Sequence, residues 1–287
     1  VKAASPVATM IETAFAKINL ALHVRRRRED GYHEIETIFA FAAHGDLIET
    51  VDGPAGLTIT GPFAAALADG DPEDNLVMRA VRGVASLPGT GRPPAIRLDK
   101  RLPVAAGIGG GSADAAAAMR LLCGLWGIGP NDPRIVGRAA ELGADVPACL
   151  LSVTARGDAR GDELRPIEAP GLHGMPLLLV NPGIPLATGP VFAGWDGIDR
   201  GPLAEGDPLA AALAGRNDLE PPARALCPVI GDVVALLAAQ PGTLLARMSG
   251  SGATCFALFD SDAARDAADR AVAAARPDWW RLATRLR

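Results

Sequence analysis

Four glycines, Gly107, Gly109, Gly110 and Gly111, crowd five positions just before Ser112, and an alanine-rich run follows. Glycine lets backbone N–H groups approach a ligand closely and admits positive φ. Ser112 suits an N-cap, Asp114 suits a first helical turn, and Ala115 to Ala118 favour helix strongly. A glycine loop that feeds a helix N-terminus offers free N–H groups and the positive end of a dipole to an anion. Phosphate is the chemistry this suggests, over the segment Pro103, Val104, Ala105, Ala106, Gly107, Ile108, Gly109, Gly110, Gly111, Ser112 and Ala113. A plain tight turn is the next reading, although a turn needs only one or two glycines. A dinucleotide fingerprint is the third: Gly107-Ile108-Gly109 begins that pattern, but Ser112 stands where the third glycine belongs. The acidic residue such a site needs about 20 residues on is matched only by Asp132, in a turn. No Gly-Lys-Ser/Thr follows, which excludes a Walker loop.

Two charged residues lie in apolar settings. Lys17 sits between Ala14-Phe15-Ala16 and Ile18 on a segment, Met10 to Val24, that alternates with period two. Ala14, Ala16, Ile18, Leu20, Leu22 and Val24 fall on one face, and Lys17 and Asn19 share the other. A solvated lysine is the default for such a position; the apolar surroundings favour one that lines a cleft. Asp145 follows Gly143 and precedes an apolar run, where an aspartate is often only a helix cap.

These residues need elements to hold them. Glu34 to Phe41 reads as a second alternating strand, after a turn at Glu29-Asp30-Gly31, with the arginine run Arg25–Arg28 as a solvated loop. The only tyrosine, Tyr32, and His33 lie at the strand edge; packing is their default part. Asp46 to Thr60 carries short strand-like pieces, Asn75 to Ser86 a helix, and Ala95 to Lys100 a strand into the glycine loop. A helix runs from Ser112 to near Gly124, and another from the Asp132-Pro133 start to Gly143. Thr154 to Asp162 reads as a connection. Beyond it come a strand at Pro176–Asn181, helices from Asn217 and over Val229–Ala239, a second glycine-rich segment (Met248 to Ala253), a strand at Thr254–Phe259 and a helix over Asp262–Ala275. Mixed strands and helices in each half predict an α+β protein of two domains, with the boundary near residue 160.

Composition bounds the partners. The chain has 287 residues, enough for two cores, with 49% hydrophobic and 21% charged residues and a formal net charge of -5. That balance disfavours a general nucleic-acid binder and leaves a small anionic substrate open. No apolar run reaches the ~18 residues that span a bilayer, and no signal-like N-terminal segment stands out. Cys123, Cys149, Cys227 and Cys255 lack metal-ligand spacing and sit in apolar contexts. Free thiols in a reducing cytoplasm are the leading reading and two disulfides the other. Val1 to Thr9 reads as flexible, and Met10 is a candidate natural start.

Three segments, in order along the chain, resemble the motifs of the galactokinase–homoserine kinase–mevalonate kinase–phosphomevalonate kinase (GHMP) family. They are Ala14-Phe15-Ala16-Lys17-Ile18-Asn19-Leu20, the Pro103 to Ala117 loop, and Met248 to Phe256. Asp30-Gly31-Tyr32-His33, Leu142-Gly143-Ala144-Asp145-Val146-Pro147, Asp74-Asn75-Leu76 and Asn217-Asp218-Leu219-Glu220 resemble the branch of that family that acts on a cytidine-diphosphate methylerythritol in non-mevalonate isoprenoid synthesis. Ala106 and Ala113 stand where that family often has glycine and serine, and Trp279 to Arg287 is not matched.

The resemblance implies a two-domain GHMP kinase fold: an N-terminal ribosomal-protein-S5-like domain over 1–160, a C-terminal ferredoxin-like domain over 161–287, and an active site in a cleft between them. It implies ATP-dependent phosphorylation of the 2-hydroxyl of that substrate. The family's lysine and aspartate carry over to Lys17 and Asp145, ATP contacts to the glycine loop, and adenine contacts to Asn75, Leu76 and Lys100. Tyr32 would stack on cytosine and His33 would hydrogen-bond it; Asn19, Phe39, Thr188 and Phe192 map near the substrate. A sugar hydroxyl is a poor nucleophile, so a carboxylate must take or orient its proton, and an ammonium nearby keeps that carboxylate ionised. Mg²⁺ is expected with ATP, its ligands unassigned, with Ser112 and Asp145 as candidates. Partners are small molecules, with no nucleic acid or membrane; the oligomeric state is open between monomer and weak dimer.

Overall fold

The computed structural model describes residues 9–68 and 70–287. The expectation for Val1 to Thr9 lies, apart from Thr9, outside them. Two compact units emerge, and they interleave along the chain. Unit 1 is residues 1–15, 45–104 and 110–151; unit 2 is residues 16–44, 105–109 and 152–287. A single boundary near residue 160 therefore does not describe the compact units. The strands β1 (Ile11–Arg27) and β2 (His33–Val51) are each divided between them.

In unit 1, β3 (Gly56–Thr60) pairs in parallel with β4 (Ala95–Asp99), with Leu57 opposite Ile96. β4 pairs antiparallel with the end of β2, from Leu47 opposite Asp99 to Val51 opposite Ala95. Four helices complete the unit: α1 (Leu76–Ala85), α2 (Gly110–Trp126), α3 (Pro133–Leu142) and α4 (Val146–Leu151). α1 starts where Asn75 Oδ1 accepts from Val77 N at 2.9 Å, and it buries Val77, Ala80, Val81 and Val84 at helical spacing. α2 is buried on nearly every side, from Ala113 through Met119 and again over Leu121–Cys123, as a helix surrounded by others must be. It begins at Gly110, so Ser112 lies within its first turn and is not its cap. α3 has Asp132 as its cap and Pro133 as its first residue, as expected.

In unit 2, the first half of β2 pairs with β5 (Ala155–Asp158), which folds back on β6 (Glu163–Pro166). The stretch expected as a connection is thus a hairpin. A four-stranded antiparallel sheet has the order β10-β7-β9-β8, where β7 is Pro176–Asn181, β8 Thr243–Met248, β9 Cys255–Phe259 and β10 Trp280–Arg285. Helices α5 (Thr188–Ala193), α6 (Pro208–Ala214), α7 (Glu220–Leu226), α8 (Val229–Ala238) and α9 (Asp262–Ala275) belong to the same unit. Val180, Ile230, Val233, Cys255, Phe259 and Val272 form the heart of its core. The parallel β3–β4 pair makes the architecture α+β with a mixed sheet.

β1 departs from its expected amphipathic character. From Lys17 to Val24 both faces are buried, Lys17 at 4% and Asn19 at 2% exposed. Arg25 to Arg27 continue the strand rather than forming a loop. Carboxylates hold the first two, Arg25 by Glu36 and Asp199 and Arg26 by Glu34. The four cysteines are buried and free.

Candidate active site

The three glycine- and lysine-bearing motifs meet in unit 2. Lys17 N donates to Ile108 O at 3.0 Å, and Thr254 N donates to Ala106 O at 3.1 Å. Ser249 Oγ accepts from Asn19 N at 3.2 Å and donates to Gly107 O at 3.0 Å. One hydroxyl thus ties all three segments together. Asn217 Nδ2 holds the second glycine segment through Met248 O and Gly250 O, both at 2.8 Å. Gly107 has φ +73°, and a Cβ there would stand 2.5 Å from Gly252 O and 2.7 Å from Ser249 O. Gly109 has φ +64°, and its Cβ would reach 3.1 Å from Lys17 Cε. Glycine is required at both by backbone conformation and by close approach.

Lys17 is aimed by its strand neighbours. Its Nζ donates to Asn19 Oδ1 at 3.2 Å and stands 4.8 Å from the centre of the Phe39 ring. Asn19 is itself fixed, because its Nδ2 donates to Thr37 Oγ1 at 2.8 Å and Thr37 Oγ1 donates to Ala21 O at 2.7 Å. Phe39, expected near the substrate, is 1% exposed and serves as the floor under Lys17.

The residues expected to read a base also lie in unit 2. Tyr32 is 54% exposed, with the Arg160 guanidinium 5.1 Å from its ring centre. His33 is 8% exposed and packs 5.1 Å from Phe192 and edge-on, at 5.8 Å, to Trp195. Burial, with the Arg27 guanidinium beside it, lowers the His33 pKa, so the ring stays neutral at pH 7. Thr188 Oγ1 lies 3.0 Å from Ser251 Oγ. Arg160, Trp195 and Ser249 were not singled out from sequence. Ser249 had a signal in its glycine-rich neighbours, whereas nothing local marks Arg160 or Trp195.

Unit 1 holds the remaining expected residues. The free N–H groups of α2's first turn begin at Gly110, directly after the loop. A Cβ on Gly111 would lie 3.5 Å from Leu76 Cδ1, so Leu76, behind its cap Asn75, borders that turn. Asp145 is half-buried at the start of α4, where its carbonyl accepts from Cys149 N at 3.1 Å. Lys100 departs from expectation. Its side chain is 2% exposed and its Nζ is committed to Asp46 Oδ2 at 2.5 Å and Asp114 Oδ2 at 2.8 Å, so its ammonium is not offered to an adenine.

Close-approach glycines packed against a buried lysine suit a phosphoryl-transfer enzyme, and the comparisons show the class. The GHMP kinases N terminal domain family matches residues 75–152, and the GHMP kinases C terminal family matches residues 199–277. This chain belongs to the GHMP kinase family. It is 72% identical over 276 residues to the 4-diphosphocytidyl-2-C-methyl-D-erythritol kinase of Rhizorhabdus wittichii, covering 96% of this chain and 94% of that one. It is 53% identical to the enzyme of the same name from Sphingopyxis alaskensis, covering 98% and 99%. A crystal structure of 4-(cytidine 5'-diphospho)-2C-methyl-D-erythritol kinase matches with a TM-score of 0.76 at 33% identity, covering 96% of this chain and 99% of that one. No helix among the described residues is long and apolar enough to cross a membrane.

Proposed function

We propose that this protein transfers the γ-phosphoryl group of ATP to the 2-hydroxyl of 4-diphosphocytidyl-2-C-methyl-D-erythritol, in the cytoplasm, as a step of non-mevalonate isoprenoid precursor synthesis. The observation that carries the reading is the near-complete coverage of relatives bearing that activity in their names, at up to 72% identity. The accessible Tyr32 ring, next in sequence to His33, supports it against homoserine and mevalonate as acceptors, since neither has a base to stack. Four buried free thiols fit a reducing compartment.

Asp145 takes the proton of the 2-hydroxyl as its oxygen attacks the γ-phosphorus; the bond from that phosphorus to the β–γ bridging oxygen breaks, and ADP leaves. Lys17 stabilises the charge that builds on the transferring group, aimed by Asn19 and the Phe39 ring. The N–H groups of loop 103–113 and of α2's first turn cradle the triphosphate. Adenine lies by Asn75 and Leu76, the side chains that flank that turn. Tyr32 stacks on cytosine, and neutral His33, braced by Phe192, hydrogen-bonds the base edge, with Thr188 and Asn19 toward the rest of the acceptor.

Mg²⁺ fits this donor set. Among the described residues no group of three or more acidic, His or Cys side chains could cage a metal. Mg²⁺ in nucleotide sites takes one or two protein oxygens and completes its shell with phosphates and water. The Ser112 hydroxyl and the Asp145 carboxylate are oxygen donors of the kind required, and they would hold it. Held there, Mg²⁺ would supply charge neutralisation to the phosphates.

The test is phosphate transfer from labelled ATP to a panel of the cytidine-diphosphate alcohol, homoserine and mevalonate. Label is expected in the first only. Transfer to homoserine or mevalonate instead would reject the acceptor assignment.

A further inference from the structure

Asp46, Lys100 and Asp114 form a buried cluster that the transfer chemistry leaves unused. Asp46 is 0% exposed, and Lys100 and Asp114 are 2% exposed each. Asp46 works with both oxygens. Its Oδ2 takes Lys100 Nζ, and its Oδ1 accepts from Arg101 N at 2.5 Å and Leu102 N at 2.7 Å. That fixes the backbone immediately before Pro103. Asp114 is on α2 immediately past Ala113, and its Oδ2 takes the same ammonium at 2.8 Å. One ammonium therefore ties together the chain before and after the 103–113 segment. The ammonium also lies against the first residue of α2, 3.1 Å from where a Cβ on Gly110 would be. Asp114 Oδ1 is buried with no hydrogen-bond partner, so the cluster is not optimised for stability. Buried ions of this kind contribute little net stability over apolar side chains; their retention fits a role in fixing geometry.

We propose that Asp46, Lys100 and Asp114 are positioning residues for the nucleotide. They hold the two ends of the 103–113 loop at the separation that aims the free N–H groups of α2 at the phosphates. The proposal rests on the reading of that loop as the triphosphate cradle. The contacts that tie the loop ends lie beside the start of α2, so their loss falls first on ATP.

The experiment measures ATP affinity by calorimetry, and kcat with KM for both substrates, in wild type, Lys100→Met, Asp46→Asn, Asp114→Asn and Asp114→Leu. Melting curves on the same samples verify folding. Lys100→Met, Asp46→Asn and Asp114→Leu are expected to weaken ATP binding by about tenfold or more, as small misplacements of binding groups do, with kcat at saturating ATP and the acceptor KM within about twofold. Asp114→Asn, which keeps an oxygen for Lys100, is expected to stay near wild type. Folded variants that bind ATP as wild type does would overturn the proposal, as would equal losses in acceptor KM and kcat. If Lys100→Met does not fold, Asp46→Asn and Asp114→Leu decide; failure of all three to fold assigns the cluster to stability alone and overturns it. Absence of ATP binding by wild type would instead bring down the nucleotide reading itself.

Discussion

Lys17 and Lys100 are both buried, one in each unit, and the parts proposed for them differ. Lys100 lies between two carboxylates. Burial alone would lower its pKa, but Asp114 and Asp46 outweigh that and hold it above its ordinary value. Its charge is spent inside the protein. Lys17 Nζ donates to the amide oxygen of Asn19 and lies over the Phe39 ring. On the proposed reading, two lysines of similar burial divide the labour: Lys100 shapes a loop, and Lys17 acts on the transferring phosphoryl group.

The comparison can be broken most sharply at the chemistry. Asp145→Asn keeps shape and removes the base, and kcat is expected to fall ~10²–10⁴-fold with the melting temperature little changed. Near-wild-type turnover would reduce Asp145 to a helix start. Lys17→Met is expected to lower kcat by ~10²–10³-fold, the scale of a lost transition-state donor, while ATP affinity moves much less. If Lys17→Met and Lys100→Met share one kinetic signature, the division between them is wrong.

The acceptor side sharpens it next. Tyr32→Ala is expected to raise the KM for the cytidine substrate about ten- to a hundred-fold, the worth of one stacked base, and Tyr32→Phe far less. Uridine in place of cytidine should be rejected through mismatched donors and acceptors at His33. Alanine and phenylalanine behaving alike would remove the stacking role.

On the nucleotide side, Gly110→Val places a branched side chain against Lys100 Nζ and in the path of the phosphate. ATP affinity is expected to drop about tenfold in a protein that still folds, read by calorimetry. The smallest effect is on stability against pH. Burial, together with Asp46, raises the Asp114 pKa to about 8 despite Lys100. The folded protein holds that proton more tightly than the unfolded chain. The group's contribution is therefore present below pH ~4 and is lost as pH rises through about 8. Asp114→Asn should gain on wild type by a few degrees in Tm between about pH 5 and about pH 9. A constant gap would mean that Asp114 ionises as an ordinary carboxylate.

Much of this was legible in the chain because it is local. The glycine loop, the alanine helix after it, the Asp132-Pro133 start and the Ser261-capped α9 each follow from propensities within a few residues. Lys17 and Asp145 stood out because charge in an apolar context is rare. The hairpin β5–β6 was missed because its strands are short and carry Arg, Gly, Asp and Glu, and their pairing with β2 gives them order. β10, the unmatched C-terminal stretch, is likewise a strand only because β7 lies alongside it.

By itself the sequence determined the α+β class and the family motifs, since motif spacing and hydrophobic period are properties of the chain alone. Only the tertiary structure decided which residues distant in sequence become partners. Ser249 meets Asn19 and Gly107. The outer face of β1 is covered rather than wet. Lys100 was read from sequence as a ligand contact. The fold makes it a fastening, because an ammonium takes its role from the carboxylates that burial brings to it, and Asp46 and Asp114 reach it only when β2, β4 and α2 have packed.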